Sequence, residues 1–135
     1  TNATDPVFDG RTLVPGTHVS AIGQYNPGPA VRELDATTIR RAKYVPDLYR
    51  RAFQDAGGFL FALENGTVTE DHIHAELGEI VCGSSTGREH RDEITVFDSG
   101  ATAIEAVATA KMLHDKARIR GLGTELAQPE PPAIL

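Results

Sequence analysis

The stretch at residues 92–121, DEITVFDSGATAIEAVATAKMLHDKARIRG, constrains the fold most, because it reads as a strand that passes through a short polar hinge into a long amphipathic helix. Ile94 and Val96 alternate with Thr95 and Phe97, so residues 93–97 suit a strand with two packed faces, whereas Ala103, Val107, Ala110, Leu113 and Ala117 recur at helical spacing. Asp98, Ser99 and Thr102 are all able to cap the helix. Thr102 followed by Glu105 fits a capping box, and Lys111, Lys116, Arg118 and Arg120 complement the negative end of the helix before Gly121. A strand feeding a helix start leaves free backbone N–H groups just beyond Asp98, a candidate place for an anionic or carbonyl-bearing ligand; a plain turn is the simpler reading.

The rest of the chain alternates in the same manner. Residues 18–22 form a short apolar strand, followed by GQYNPGPA at 23–30, too rich in proline and glycine for a helix or a central strand. Asp35 caps a helix over about 36–43, and Tyr44-Val45 is a minimal strand ending at Pro46. Asp47 caps a second helix with Leu48, Ala52 and Ala56 on one stripe, and Gly57-Gly58 stops it. The apolar run at 59–63 fits helix and strand alike, and a further helix covers about 71–82 with Ile73, Leu77, Ile80 and Val81 on one face. This alternation predicts an α/β fold with a largely parallel sheet, whose ligands bind at the carboxyl ends of the strands. Two loops qualify, the one beginning at Gly23 and the one at residues 98–102.

Charge and cysteine usage narrow the function. With 13 Lys and Arg against 19 Asp and Glu, a net charge of −6, and no basic block, the chain predicts no nucleic-acid partner. No run of 18 apolar residues occurs, which predicts no membrane span, and the single Cys82 favours a reducing, cytoplasmic setting. Cys82 itself lies in an apolar helical run without a base partner and reads as core. His72 and His74, with Glu76 and Glu79 nearby, suggest a metal at first sight, but i and i+2 diverge on a helix, so no metal is predicted.

Four motifs carry a resemblance. GTHVSAIG at 16–23, RELD at 32–35, HAELGEIVCG at 74–83 and DEITVFDS at 92–99 occur in the order and near-spacing of the C-terminal part of the ornithine cyclodeaminase/mu-crystallin family. The resemblance implies the second half of a Rossmann-like NAD(P)-binding domain at residues 1–98. A long helix and return segment at 99–127 would lead to a dimerisation domain, and a flexible tail would occupy 128–135. It also implies that the chain is the later portion of a longer protein that forms a homodimer. No G-x-G-x-x-G occurs in the chain, so that fingerprint and the residue that reads the ribose would precede Thr1, leaving NAD and NADP both open.

Family members act on small amino acids or imino acids, by ornithine cyclodeamination, alanine dehydrogenation or reduction of cyclic ketimines such as Δ1-pyrroline-2-carboxylate. By resemblance, Ala3 and Thr4 lie beside the adenosine, Ala21, Ile22 and Gly23 form the backbone under the nicotinamide, and Ser99 and Gly100 stand near its carboxamide. Small residues permit close backbone approach to a flat ring, which makes these assignments chemically sound. In cyclodeaminases and the related alanine dehydrogenases the loop after the AIG-like motif is typically G-x-D-x-P-G-K, but QYNPGP at 24–29 has neither the aspartate nor the lysine. A general base of that kind is worth about 10² to 10⁴ in rate, so its loss turns the expectation toward ketimine reduction.

Ala101 and Ala106 likewise stand where the family's FDSxGxAxED has glycine and aspartate. Tyr25 and Asp35 are the candidate catalytic residues. Tyr25 would protonate an imine, or serve as a lid or packing residue; Asp35 would act as an acid or base, or simply cap a helix. The expected function is an NAD(P)-dependent imino-acid reductase. The alternatives are an ornithine cyclodeaminase or alanine dehydrogenase, and a non-catalytic NAD(P)-binding protein of the mu-crystallin type. The 135-residue chain by itself is expected to be inactive.

Overall fold

The computed structural model describes residues 1, 3–22, 31–100 and 102–126. The predicted loop at 23–30, with Gly23 and Tyr25, and the predicted tail at 128–135 lie outside the described residues. The chain divides into two compact units, Thr1–Ala101 and Thr102–Leu135.

Among the described residues, the first unit is a three-stranded parallel sheet with helices in the crossovers. Strands β1 (His18–Ile22), β2 (Lys43–Pro46) and β3 (Thr95–Ser99) lie in the order β1-β3-β2, so the last strand in sequence is the central one. Register is fixed by pairing Val19 with Val96 and Tyr44 with Val96, which places Val19, Tyr44, Val96, Ala21, Pro46 and Asp98 on one face. That face holds the core. Tyr44 stacks on Phe59 at 5.0 Å between ring centroids, and Phe53 meets Phe59 edge-on, with Leu34, Ile39, Ala52 and Ala62 filling the rest.

The helices of this unit are α1 (Ala36–Arg41), α2 (Tyr49–Ala52), α3 (Gly57–Glu64) and α4 (Leu77–Cys82), with 3-10 turns at Gly10–Thr12 and Glu70–His72. Asp35 caps α1 as expected, accepting from the Thr38 amide at 2.7 Å, and its other oxygen accepts from the Gly10 amide at 3.0 Å. Three local expectations fail because a tertiary contact wins, and a fourth, at Cys82, fails with the shortened helix.

Gly57-Gly58 opens α3 instead of ending a helix. A Cβ on Gly58 would stand 3.0 Å from the Leu34 carbonyl oxygen, so glycine serves close packing there. Asp47 does not cap the helix that follows; α2 starts after Leu48, and the carboxylate of Glu76 accepts from the Tyr49 amide. The helix expected over 71–82 is broken, because Ile73 bridges Tyr44 and the His74 amide donates to the Tyr44 carbonyl at 2.9 Å, leaving the shorter α4. Cys82 closes that short helix and is exposed, so it is not core.

Strand β3 is also displaced two residues beyond the expected 93–97. Pairing of Asp98 with both Ala21 and Pro46, and of Ser99 with Ile22 of β1, carries the strand past Phe97, while Glu93 forms an ion pair with Lys43 at 3.1 Å. Asp98 and Ser99 therefore belong to a strand and do not cap the helix. At the amino end of the chain, Thr1, Ala3 and Thr4 lie outside the described strands. The Ala3 carbonyl accepts from the Arg32 amide at 3.0 Å, just before the Thr4-Asp5 bend.

The second unit holds α5 (Ala103–Ile119), started by Thr102 and Glu105 as a capping box and ended before Gly121, whose φ is +63°. None of the residues of α5 is buried; Val107 and Leu113, both on the predicted apolar face, are 66% and 57% exposed. Among the described residues no helix is long and apolar enough to cross a membrane.

Candidate cofactor site at the carboxyl edge of the sheet

Because all three strands run parallel, their carboxyl ends meet on one edge. Ile22 faces Ser99 across the ladder and Pro46 faces Asp98, and the Asp47 amide extends the pairing to the Asp98 carbonyl at 3.2 Å. The structure thus brings Ala21, Ile22, Ser99 and Gly100 together, with Pro46 and Asp47 beside them. Ala21 is buried beneath the edge, whereas Ile22 is 62% exposed on it. Ala3 and Thr4 hang from Arg32 in a separate segment, and nothing in their hydrogen bonding ties them to the strand ends.

Under the edge lies a buried acidic network that sequence reasoning missed. Asp98 points into the core and is 4% exposed, with its Oδ2 accepting from the Tyr44 hydroxyl at 2.7 Å. Burial is the main cause that raises its carboxyl from the ordinary 3.8 to about 6; the Tyr44 bond works against the rise, and Glu33, Asp47 and Asp55 add to it. The Tyr44 phenol is raised well above its ordinary range by the same burial and by the Asp98 charge beside it. Asp47, also buried, accepts from the Leu48 amide at 2.7 Å through one oxygen and from the Ser99 hydroxyl at 3.3 Å through the other. Ser99 therefore turns its hydroxyl toward the protein.

Arg51 completes this layer. Helix α2 leaves the carboxyl end of β2, so its Arg51 arrives beside the residue that follows β3, and it pairs with Asp55 one turn on. A small cavity of about 10 Å³ is enclosed by Asp47, Arg51, Asp55, Asp98 and Gly100 among others, room for no more than a water. The clue available in the sequence was parity: with the strand extended by two residues, Asp98 falls on the same face as Val96 and Tyr44.

The remaining candidates are engaged elsewhere. Asp35 spends both oxygens on the Thr38 and Gly10 amides; burial would raise its carboxyl, but bonds from Thr38 and Gly10 outweigh that and hold it below its ordinary range. His72 Nε2 donates to the Ile39 carbonyl at 2.6 Å and His74 Nε2 to the Thr86 carbonyl at 2.7 Å, so the two rings serve different loops. Glu76 and Glu79 cap α4, the Glu76 amide donating to Glu79 Oε2 at 2.8 Å. Among the described residues no group of three His, Cys, Asp or Glu side chains is arranged to hold a metal ion.

A parallel sheet whose strand ends gather small residues and an exposed aliphatic side chain is the edge at which open α/β sheets bind ligands. The sequence pattern of the ornithine cyclodeaminase/mu-crystallin family matches residues 1–121. The chain belongs to that family. Among its relatives, the Δ(1)-pyrroline-2-carboxylate reductase of Bacillus cereus is 36% identical over 127 residues, which is 93% of this chain and 38% of the reductase. The alanine dehydrogenase of Archaeoglobus fulgidus is 35% identical over 126 residues, again 93% of this chain and 38% of the relative. The chain thus spans well under half the length of these family members. Its fold superposes on the Δ(1)-pyrroline-2-carboxylate reductase of Thermococcus litoralis, solved with NADH and L-proline, with a TM-score of 0.81 at 40% identity over 93% of this chain and 38% of that one.

Proposed function

We propose that this chain supplies the nicotinamide-side half of the NAD(P) site of an imino-acid reductase, with Δ1-pyrroline-2-carboxylate as the type of substrate. The observation that carries the reading is the carboxyl edge, where buried Ala21, exposed Ile22 and Gly100 meet on parallel strands. A flat, partly apolar ring fits such a surface. Small residues admit the ring close to the backbone, and the aliphatic Ile22 suits its face. The cofactor, when bound, supplies the hydride; the residues of this chain position it. In this reading Ala21, Ile22 and Gly23 lie under the nicotinamide, Ser99 and Gly100 stand near its carboxamide, and Ala3 and Thr4 stand near the adenosine.

Ser99 contributes through its backbone, since its hydroxyl is committed to Asp47. Asp47 and Asp98 hold the edge from below and touch neither ring nor substrate. Tyr25 is the candidate proton donor to the imine. The absence of aspartate from residues 24–29 favours reduction over ammonia release, and a homodimer in the cytoplasm is the expected assembly and setting. The similarity to an alanine dehydrogenase supports a second reading, oxidation of a linear amino acid at the same edge.

Both readings are separated by one set of assays on the intact protein: NADH and NADPH oxidation with Δ1-pyrroline-2-carboxylate, NAD reduction with alanine, and ammonia release from ornithine. Imine reduction without ammonia release is the expected result. Ammonia release from ornithine would overturn it, and cofactor binding with no turnover would favour a non-catalytic binding protein.

A further inference from the structure

We propose that Arg51 is a positioning residue for the cofactor edge, a wedge that sets the height of the turn at Gly100. The inference rests on the reading that Ser99 and Gly100 face the cofactor. Gly100 does not have a positive φ, so its backbone does not demand glycine. What demands it is a neighbour: a Cβ on Gly100 would stand 2.7 Å from Arg51 Nε, 2.8 Å from Nη2 and 2.9 Å from Cζ. The guanidinium therefore occupies the space that a Gly100 side chain would need.

A flexible arginine would swing away from such contact, but this one is held. Nη2 donates to Asp55 Oδ2 and Nε stands 3.4 Å from Asp55 Oδ1, a fork across one helical turn, and the Arg51 side chain is only 24% exposed. Topology makes the contact possible. Strands β2 and β3 are parallel neighbours, so the helix that begins after β2 arrives beside the residue that leaves β3. Asp47 and Asp98 close the other sides of the same small cavity, so a rigid cation is seated among fixed carboxylates beneath the turn. The turn cannot sink toward the core while Arg51 is in place, and Ser99 is tied on its other side to Asp47. Arg51 thereby fixes the level at which the Ser99–Gly100 backbone is offered to the nicotinamide.

The test is a double-mutant cycle in the intact protein, read as NADH affinity by fluorescence on samples with matched urea midpoints. Gly100→Ala and Arg51→Ala are each expected to weaken NADH binding by about 10-fold or more, because small misplacements of a positioning group carry penalties of that order. In the Arg51→Ala background the three nearest atoms that the Gly100 methyl would strike are gone, so adding Gly100→Ala is expected to cost no more than about twofold further, a coupling that a general loss of structure does not produce. Arg51→Lys keeps the pair with Asp55 without the planar guanidinium and is the variant to use if Arg51→Ala fails to fold; it is expected to weaken binding while the urea midpoint holds. Hydrogen exchange with and without NADH identifies the site independently. Protection at residues 98–100 with wild-type affinity in Gly100→Ala and Arg51→Lys would overturn the wedge alone. NADH binding without protection there would overturn the reading of the edge and the wedge with it.

Discussion

Replacing Asp98 with asparagine should flatten the dependence of stability on pH in a defined window. Asp98 is 4% exposed and its carboxyl is raised from 3.8 to about 6, chiefly by burial. A carboxyl raised on folding binds its proton more tightly in the native state. Its contribution to stability is therefore complete below the ordinary value and is lost as pH climbs through about 6. The interval corresponds to about 3 kcal/mol at roughly 1.4 kcal/mol per unit, of which about 2 kcal/mol falls between about pH 4.5 and about pH 7.5. The substituted amide would carry no charge at either pH and could still accept the Tyr44 O–H. Urea unfolding of the 135-residue chain, followed by circular dichroism at both pH values, measures the difference. Titrating groups distant from Asp98 are shared and cancel between wild type and variant, while Glu33, Asp47 and Asp55, which interact with it, are secondary to burial as causes of the raised carboxyl. The expected result is that Asp98→Asn gains about 2 kcal/mol relative to wild type on moving from the lower to the higher pH. Parallel pH dependence in the two proteins would refute the assignment of a raised carboxyl to Asp98.

Other perturbations follow from the same contacts. Tyr44→Phe removes the hydrogen bond to a buried carboxylate and should cost about 1.5–3 kcal/mol near neutral pH in urea unfolding, with a smaller loss once Asp98 is protonated. Asp35→Ala removes the α1 cap and the Gly10 contact and should cost about 1–2 kcal/mol; a neutral result would show that the cap is dispensable. Gly58→Ala brings a methyl to 3.0 Å from the Leu34 carbonyl oxygen and should destabilise the chain by about 1–3 kcal/mol, again measured by urea midpoint. Cys82 should react with a thiol reagent in the native chain without prior unfolding, and reaction only in denaturant would contradict its exposure.

Much of the architecture was legible because it is written in local pattern. The alternation of strand and helix, the short strands at 18–22 and 44–46, the Asp35 cap and the Thr102–Glu105 start of α5 all rest on residues within one or two turns of each other. The placement of Ile22, Ser99 and Gly100 on one edge followed from parallel topology, which the alternation itself requires. The position of Ala3 and Thr4 was not legible, because the Arg32 amide that holds Ala3 is distant in the chain.

Where expectation failed, a partner far along the sequence decided. Glycine pairs stop isolated helices, yet Gly57-Gly58 opens one because Leu34 is packed against it. The apolar period over 71–82 is a helical signal, but the Tyr44 carbonyl and the Ile73 bridge draw its first half out of the helix. Asp98 followed by Ser99 looks like a helix cap when only neighbours are counted. Strands on both sides pull Asp98 into the sheet and β1 holds Ser99 there, and the Tyr44 hydroxyl gives the buried carboxylate its partner. The sequence by itself determined the strand-helix alternation, the three short strands in their order and the long final helix, since periodicity and capping act over a few residues. The tertiary structure alone decided which polar side chains are buried and what Gly100 must accommodate, since those depend on Tyr44, Asp47 and Arg51 arriving from another strand and helix.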